Sequence, residues 1–157
     1  LSDLIQRALD NLEQSMCIEI GENGELTATT SGRIASFYYL SHLTLKFFRE
    51  SLSNQVEIEE LLDILSRVQE FRELPVRHNE DKMNAELATT LPLKVNNYAF
   101  DSPHTKCNLL LQAHFSQAPL PISDYNTDTK SVLDQCLRIL QAMLDYSADQ
   151  GWLTCSI

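Results

Sequence analysis

Residues 102–116 have the sequence SPHTKCNLLLQAHFS, and this is the most informative segment of the chain. Ser102 is a suitable N-cap, and Pro103 fits the first position of a helix, where the N–H that proline lacks is not needed. The leucines, alanine and phenylalanine that follow form a thick apolar side. The segment therefore predicts a helix from residue 103 to about residue 116 with one strongly apolar side.

The polar side of this predicted helix carries no acidic residue. Thr105, Asn108, Gln112 and Ser116 recur at steps of three and four residues, with Lys106 beside them. A solvated stripe usually contains Glu and Lys, whereas uncharged side chains suit hydrogen bonds to a partner's backbone, or to bases and sugars without sequence selection. A helix packed under a polar loop would show the same pattern, so both interpretations stay open at this point.

Helical periodicity extends to either side of this segment. One helix is predicted to begin at Ser2 as its N-cap, and others to span residues 30–52, 56–68, 79–90 and 127–150. Prolines and one glycine lie between these helices or at their ends, at positions 75, 92, 119, 121 and 151. Residues 17–20 and 25–27 flank a turn and predict two short strands. The predicted fold class is mainly α, a helical bundle with a small N-terminal β-hairpin.

Two of these segments carry more specific expectations. The predicted helix over residues 30–52 has apolar side chains around most of its circumference, so we expect it to be buried between other helices. Residues 93–101, which include the pair Asn96-Asn97, show no periodicity and are predicted to form a linker.

Composition places the chain among globular domains. Of its 157 residues, 43% are hydrophobic and 22% charged, close to the ordinary globular balance. A chain of this length buries a sizeable core on folding. No apolar run approaches the length of a membrane span, and no signal peptide opens the sequence. Because the first residue is Leu1, we expect the chain to be a piece of a longer polypeptide.

The charge and the cysteines limit the functional classes further. Lys and Arg number 12 against 22 Asp and Glu, so the net charge of −10 argues against a free-standing nucleic-acid binder. It leaves room for a minor contact surface inside a larger machine. The four cysteines are widely spaced and form no CxxC pair, which favours small buried thiols in a reducing intracellular compartment.

The sequence offers little for catalysis or metal binding. No GxxxxGK[ST] loop and no glycine-rich dinucleotide turn is present, so these residues do not hold ATP by those mechanisms. His104, Cys107 and His114 share one predicted helix, but position 114 is nearly three turns beyond position 104. Zinc sites use tightly paired ligands, usually from two elements. We therefore predict no catalytic residue and no metal ligand.

One cluster of charged residues allows two interpretations. Arg77-His78-Asn79-Glu80-Asp81 combines a base with two acids, and two carboxylates in different environments can perform acid–base chemistry. Adjacent helical residues, however, point roughly 100° apart. In the second interpretation, which we favour, the acids lie in the first turn of a helix and Arg77 ties the preceding loop to a neighbour.

Several motifs in a fixed order resemble one protein family. The chain is similar to the Sec63 homology unit of large Ski-two-like helicases in SGRIASFYY at 31–39, LPVRHNED at 74–81 and SPHTKCNLLLQAHF at 102–115, with DTKSVLD at 128–134 and QGWL at 150–153 extending the match. The resemblance covers nearly the whole chain. Three separate motifs in the right order make it specific.

The resemblance implies an arrangement of domains. Residues 1–30 would be the tail of a winged-helix domain, 31–121 a helical bundle that closes around one nucleic-acid strand, and 122–157 the start of a helix–loop–helix domain. Two RecA-like domains outside these residues would bind ATP and Mg. No cofactor is expected in this chain itself.

The resemblance also implies candidate contact residues. By this resemblance the helix at 103–116 would be the ratchet helix, which touches the translocating strand. Lys106 and Gln112 are therefore the first candidates for nucleic-acid contact, followed by Thr105, Asn108 and His114. Archaeal relatives stack an aromatic side chain on a base near this helix end, and this chain has His114 there.

The whole protein implied by the resemblance is a 3′-to-5′ ATP-dependent nucleic-acid helicase. It would act in alkylation-damage DNA repair, in clearing collided ribosomes and in transcription coactivation, in the nucleus and the cytosol. Its partners would be a single strand, its own RecA-like and winged-helix domains and other subunits of a cointegrator-type complex, with no membrane. The alternative is a protein-docking scaffold without unwinding activity, as in a similar spliceosomal helicase.

Overall fold

The computed structural model describes residues 1–95 and 99–157. Over these residues it contains eight α-helices and a two-stranded sheet, which confirms the predicted fold class. The helices are α1 Ser2–Gln14, α2 Thr30–Tyr38, α3 His42–Ser51, α4 Ile58–Ser66, α5 Glu80–Thr90, α6 Pro103–Ser116, α7 Ser123–Asp149 and α8 Leu153–Ser156. The strands are β1 Ile18–Ile20 and β2 Leu26–Ala28, and a 3₁₀ turn spans Gln69–Phe71.

The chain forms two compact units. One consists of residues 1–56 together with 139–157, and the other of residues 57–138. The predicted domain bounds at residues 30 and 121 stay a prediction. The Asn96-Asn97 pair of the predicted linker lies outside the described residues. None of the helices in the described ranges is both long and apolar enough to cross a membrane.

In the first unit, the predicted hairpin is confirmed. Strands β1 and β2 pair antiparallel, with Ile18 opposite Ala28 and Ile20 opposite Leu26. Thr29 then joins the hairpin to α2, because its hydroxyl donates to the Met16 carbonyl at 2.6 Å and accepts from the Gly32 N–H at 3.1 Å. A Cβ at position 32 would collide with the Cys17 carbonyl oxygen, so this close approach requires glycine.

The start of α1 differs slightly from the prediction. Ser2 lies inside the helix instead of capping it, and Leu1 occupies the N-cap without a side-chain hydrogen bond. Leu4 and Ile5, on the apolar side of α1, remain 67% and 54% exposed.

The prediction of one helix over residues 30–52 is wrong, because the chain breaks between α2 and α3. Tyr39 adopts a left-handed conformation with φ of 56°, and its neighbour Leu40 donates its N–H to the Ala35 carbonyl. Ser41 then starts α3 by accepting a hydrogen bond from the Leu43 N–H. The apolar residues that seemed to encircle one helix belong to two, and Phe37 is 77% exposed.

In the second unit, three predicted helices are confirmed. Helix α4 begins with a capping box between Glu57 and Glu60, and α5 begins after Asn79. Helix α6 has the predicted bounds and the predicted cap at Ser102. Every residue from 106 to 113 of α6 is buried, so this helix forms the centre of the unit.

The predicted start of α7 at residues 127–128 is too late. The helix begins at Ser123, two residues after Pro121, and runs to Asp149. Asp128 does not cap it because its carboxylate binds side chains from other segments. Gly151, with φ of 75°, follows the helix end as predicted. Helix α7 begins in the second unit, and its residues from 139 onward belong to the first.

Candidate functional site

Helix α6 places its polar residues in two different environments. The Ser102 hydroxyl accepts from the His104 N–H at 3.3 Å and fixes the first turn. One turn later Lys106 enters the interior of the second unit. Its side chain has no exposed surface, which is rare for lysine and requires full compensation of its charge.

A buried charge cluster provides that compensation. The Lys106 Nζ donates to the Pro75 carbonyl oxygen at 2.6 Å, to Glu80 Oε2 at 2.6 Å and to Asp128 Oδ2 at 2.7 Å. It also lies 4.7 Å from the centroid of the Tyr125 ring, within the range of a cation–π contact. All three donor positions of the ammonium are therefore occupied.

Arg77 completes the cluster at its solvent side. Its guanidinium donates to Glu80 Oε1 at 2.8 Å and to both carboxylate oxygens of Asp128 at 2.8 and 3.2 Å. Two cations thus face two carboxylates, and the cluster is formally neutral. We name Arg77, Glu80, Lys106 and Asp128 the charge cluster.

This geometry decides between the two interpretations of residues 77–81. Glu80 and Asp81 lie in the first turn of α5, and Arg77 connects the preceding loop to α7 through Asp128. The favoured interpretation, in which Arg77 ties the loop to a neighbour, is confirmed. The carboxylate of Glu80 is occupied by two cations and has no free oxygen with which to act on a substrate.

The cluster keeps both carboxylates ionised. Burial alone would raise the pKa of Glu80, but hydrogen bonds from Lys106 and Arg77 outweigh it and hold the pKa below its ordinary value. Burial likewise opposes ionisation of Asp128, and hydrogen bonds from Arg77 and Lys106 lower its pKa. The pKa of Tyr125 is raised, mainly by burial and then by the two nearby carboxylates.

A neutral chain of hydrogen bonds continues from the cluster. The Tyr125 hydroxyl donates to Asn84 Oδ1 at 2.5 Å, and Asn84 Nδ2 donates to the Phe100 carbonyl at 2.8 Å. Within the described ranges, no buried side-chain nitrogen or oxygen lacks a hydrogen-bond partner. The polar interior of this unit is therefore fully satisfied, as a stable buried network requires.

The uncharged stripe of α6 is largely used inside the protein. Gln112 Nε2 donates to Asn108 Oδ1 at 2.7 Å, and Gln112 Oε1 accepts from the Leu93 N–H at 3.0 Å. The Ser116 hydroxyl donates to the Gln112 carbonyl at 2.7 Å. Leu93 begins the predicted linker, so the alternative of a helix packed under a polar loop is confirmed for Asn108 and Gln112.

The five predicted contact residues therefore differ in accessibility. Lys106, Asn108 and Gln112 are buried, Thr105 is half-buried and His114 is exposed. A strand could reach Lys106 only if the charge cluster opened. Contact with nucleic acid stays a prediction, and the residues able to make it as the protein is folded are Thr105 and His114.

His114 borders an open groove between α6 and the first half of α7. The groove has a volume of about 880 Å³. Its lining includes His114, Gln117, Leu120, Asn126, Lys130 and Leu133. Lys130 is exposed. This α6–α7 groove thus combines two basic side chains, two amides and an apolar wall.

The candidate metal ligands have separate surroundings. His104 Nδ1 lies 3.0 Å from the Ser66 carbonyl oxygen, Cys107 is buried and His114 is exposed. In the described part of the chain, no three His, Cys, Asp or Glu residues are placed to hold a metal ion. Cys107 and Cys136 are buried thiols on helices, as predicted. Burial raises the pKa of Cys107, and Cys136 raises it further.

Sequence reasoning missed the charge cluster, although one signal could have revealed part of it. Lys106, Leu110 and Ala113 are spaced by four and three residues and so share one face of α6. That spacing places the lysine on the apolar side of the helix. Its partners lie 22 to 31 residues away in sequence, and no local pattern identifies them.

Comparison with known proteins gives consistent matches. The Sec63 Brl domain model matches residues 28–157. The chain is 60% identical over 154 residues to activating signal cointegrator 1 complex subunit 3 of Homo sapiens. It is 48% identical over 157 residues to the DExH-box ATP-dependent RNA helicase DExH14 of Arabidopsis thaliana, and 38% over 154 residues to the human U5 small nuclear ribonucleoprotein 200 kDa helicase.

The matches cover nearly all of this chain and a small part of each relative. The human cointegrator subunit and the human U5 helicase each align with 98% of the chain, and the plant helicase with all of it. The chain spans 7% of the length of each of these curated relatives.

Proposed function

The chain belongs to the Sec63 Brl domain family, and from that premise we propose that it is a non-catalytic, strand-guiding module of an ATP-dependent 3′-to-5′ nucleic-acid helicase. The observation that carries the proposal is its identity over nearly its whole length to two proteins named as helicases. RecA-like domains elsewhere in the parent protein would bind ATP and Mg. This module would couple their motion to directional movement of the strand.

The proposal extends to the parent protein's role. High identity to the cointegrator complex subunit favours a parent that works with other subunits of such a complex. We place that work in alkylation-damage DNA repair, in the clearance of collided ribosomes and in transcription coactivation, in the nucleus and the cytosol. The relatives are named as a complex subunit, an RNA helicase and a ribonucleoprotein helicase.

Two accessible residues of the second unit support the α6–α7 groove as the place of strand contact in this proposal. His114 and Lys130 both line the α6–α7 groove. An imidazole can stack on a base, and an ammonium can neutralise a phosphate. The net charge of −10 disfavours broad phosphate binding, so a short contact of this kind suits the chain better than an extended basic surface.

The test compares variants of the full-length protein. His114→Ala combined with Lys130→Ala should weaken binding of a labelled single strand by about fivefold or more, since loss of one stacked base alone is worth ~1–3 kcal/mol. Unwinding should fall in parallel while ATP hydrolysis without nucleic acid is unchanged. Lys82→Ala, which removes an exposed lysine of α5, is the matched control. Equal strand affinity in both variants would contradict the groove assignment.

A docking scaffold is the second candidate. In the first unit Phe37 and Tyr39 are 77% and 86% exposed, and exposed aromatic side chains are frequent anchors of protein interfaces. A separate assay of partner binding tests the scaffold. The full-length protein would bind its partner subunits normally with Phe37 intact, lose them with Phe37→Ala, and show no unwinding to begin with.

A further inference from the structure

The charge cluster connects more of the second unit than any other polar feature described. Pro75 and Arg77 belong to the loop before α5, Glu80 to the first turn of α5, Lys106 to α6 and Asp128 to α7. The contacts that join these segments measure 2.6 to 2.7 Å from Lys106 Nζ to its three oxygens. Three segments therefore converge on the ammonium group of a fourth.

These contacts constrain position in a way that the apolar core does not. Burial of apolar surface is non-directional and roughly proportional to area, so Leu109, Leu110 and Leu111 distinguish one register of α6 from another less sharply than directional hydrogen bonds do. A slide by one residue moves a helix by ~1.5 Å. A displacement of that size along a hydrogen bond of 2.6–2.7 Å lengthens it beyond the ~3.2 Å limit for good geometry.

Stability alone does not account for the cluster. Buried ion pairs seldom stabilise a fold more than well-packed apolar residues would, because desolvation offsets their attraction. Their best-attested benefit is to specify one register among several. A buried cluster that is neutral, fully bonded and shared by four segments fits that role.

We infer that the charge cluster is a register lock, which fixes α6 against the first half of α7 and thereby sets the spacing across the α6–α7 groove. Each helix carries one cluster residue and one basic residue that lines the groove. Lys106 and His114 lie two turns apart on α6, and Asp128 lies two positions before Lys130 on α7. The effect of the register lock on unwinding rests on the proposed function, whereas its effect on the geometry of the groove does not.

The first measurement is structural and uses the full-length protein without nucleic acid. Spin labels attached at positions 114 and 130 by chemistry that spares cysteine report the distance across the groove. The unmodified cluster should give one narrow distance distribution. Two charge-balanced double variants should both broaden or shift it: Lys106→Met with Glu80→Gln, which leaves the Arg77–Asp128 pair, and Arg77→Gln with Asp128→Asn, which leaves the Lys106–Glu80 pair.

The controls separate register from folding and from surface charge. Asp63→Asn with Arg67→Met removes an exposed pair of the same unit, whose side chains are 55% and 59% exposed, and should leave the distribution narrow. Hydrogen exchange across residues 57–138 shows whether each variant is folded. A narrow, unshifted distribution in either folded double variant would overturn the lock.

The second measurement concerns unwinding by unlabelled protein. Both double variants should lower the number of base pairs opened per ATP by about threefold or more. An effect of this size is typical when residues that couple distant sites are mutated. If Lys106 instead touched the strand, only the variant that lacks it would lose coupling, which contradicts the lock. A wild-type protein that does not unwind a duplex would contradict the proposed function. The distance measurement would still show whether the charge cluster is a register lock.

Discussion

Helices α1 and α6 are nearly equal in length, with 13 and 14 residues, and they have opposite environments. In the described structure no residue of α1 is buried, whereas eight successive residues of α6 are. Yet α1 has the cleaner separation of apolar and polar sides, and α6 mixes leucines with lysine, asparagine and glutamine. The more regular amphipathic pattern therefore belongs to the more exposed helix.

The difference shows what amphipathic periodicity measures. It predicts that a segment is helical, and both helices were predicted correctly on that basis. Burial depends on how many other segments surround the helix, and α6 is surrounded. Its buried polar residues are tolerated because they have hydrogen-bond partners. Gln112 is bonded to Leu93, and Lys106 to Glu80 and Asp128.

The largest expected effect comes from a buried polar residue of α6. Lys106→Met should lower the free energy of unfolding by about 3–5 kcal/mol, because removal of one member of a buried ion cluster leaves its partners uncompensated. Urea denaturation of the 157-residue chain measures this loss. Lys82→Met, at an exposed lysine of α5, should change it by less than about 0.5 kcal/mol.

The charge-balanced variant sharpens that comparison. Lys106→Met with Glu80→Gln should recover most of the stability lost by Lys106→Met, because the pair that remains, Arg77 and Asp128, is neutral. A single variant as stable as the wild type would show that Lys106 is hydrated in solution, contrary to its complete burial in the structure.

The limits of sequence reasoning follow from the same contrast. Caps, periodicity and turns are local, so the hairpin and helices α4, α5 and α6 were predictable within a residue or two. The break at Tyr39 was not, because a left-handed tyrosine has no sequence signature of the kind that glycine provides. The charge cluster was not predictable either, since it depends on segments that are brought together only by the fold.

The candidate contact residues illustrate this limit most directly. Lys106 and Gln112 are the first candidates because the family resemblance implies a ratchet helix at 103–116, and a resemblance in sequence does not show which polar side chains of that helix are exposed. In the structure His114 is exposed, and Lys130 of α7 is exposed beside the same groove. The spacing of residues within one helix could not identify Lys130, whose proximity depends on the packing of α7.

The apolar residues of the two helices provide the next prediction. Leu110→Ala in α6 should cost about 2–5 kcal/mol, because it removes a fully buried side chain and leaves a cavity. Leu4→Ala in α1, at a side chain that is 67% exposed, should cost less than about 0.5 kcal/mol. A large loss from Leu4→Ala would mean that the apolar side of α1 is covered in solution, and a concentration-dependent midpoint would identify a second copy as the cover.

The smallest expected effect is a difference in pH dependence. The pKa values of Glu80 and Asp128 are lowered from 4.5 and 3.8 in the folded protein, so their contribution is complete above those ordinary values and is lost as pH falls through the lowered ones. Protonation neutralises each carboxylate without removing its side chain, so the loss should be smaller than that caused by Lys106→Met. The chain has 22 acidic residues, and their mutual electrostatic repulsion falls as they are protonated. This change opposes the loss of stability at low pH.

The informative quantity is therefore the difference between two acid titrations of the melting temperature. Below about pH 5.5, where an unfolded glutamate begins to take up protons, the wild type should lose more stability than the variant with Lys106→Met and Glu80→Gln. That variant has no carboxylate at position 80 to protonate, and it keeps the Arg77–Asp128 pair. Identical acid slopes would show that Glu80 ionises like an exposed side chain, which would contradict its place in a buried charge cluster with Lys106.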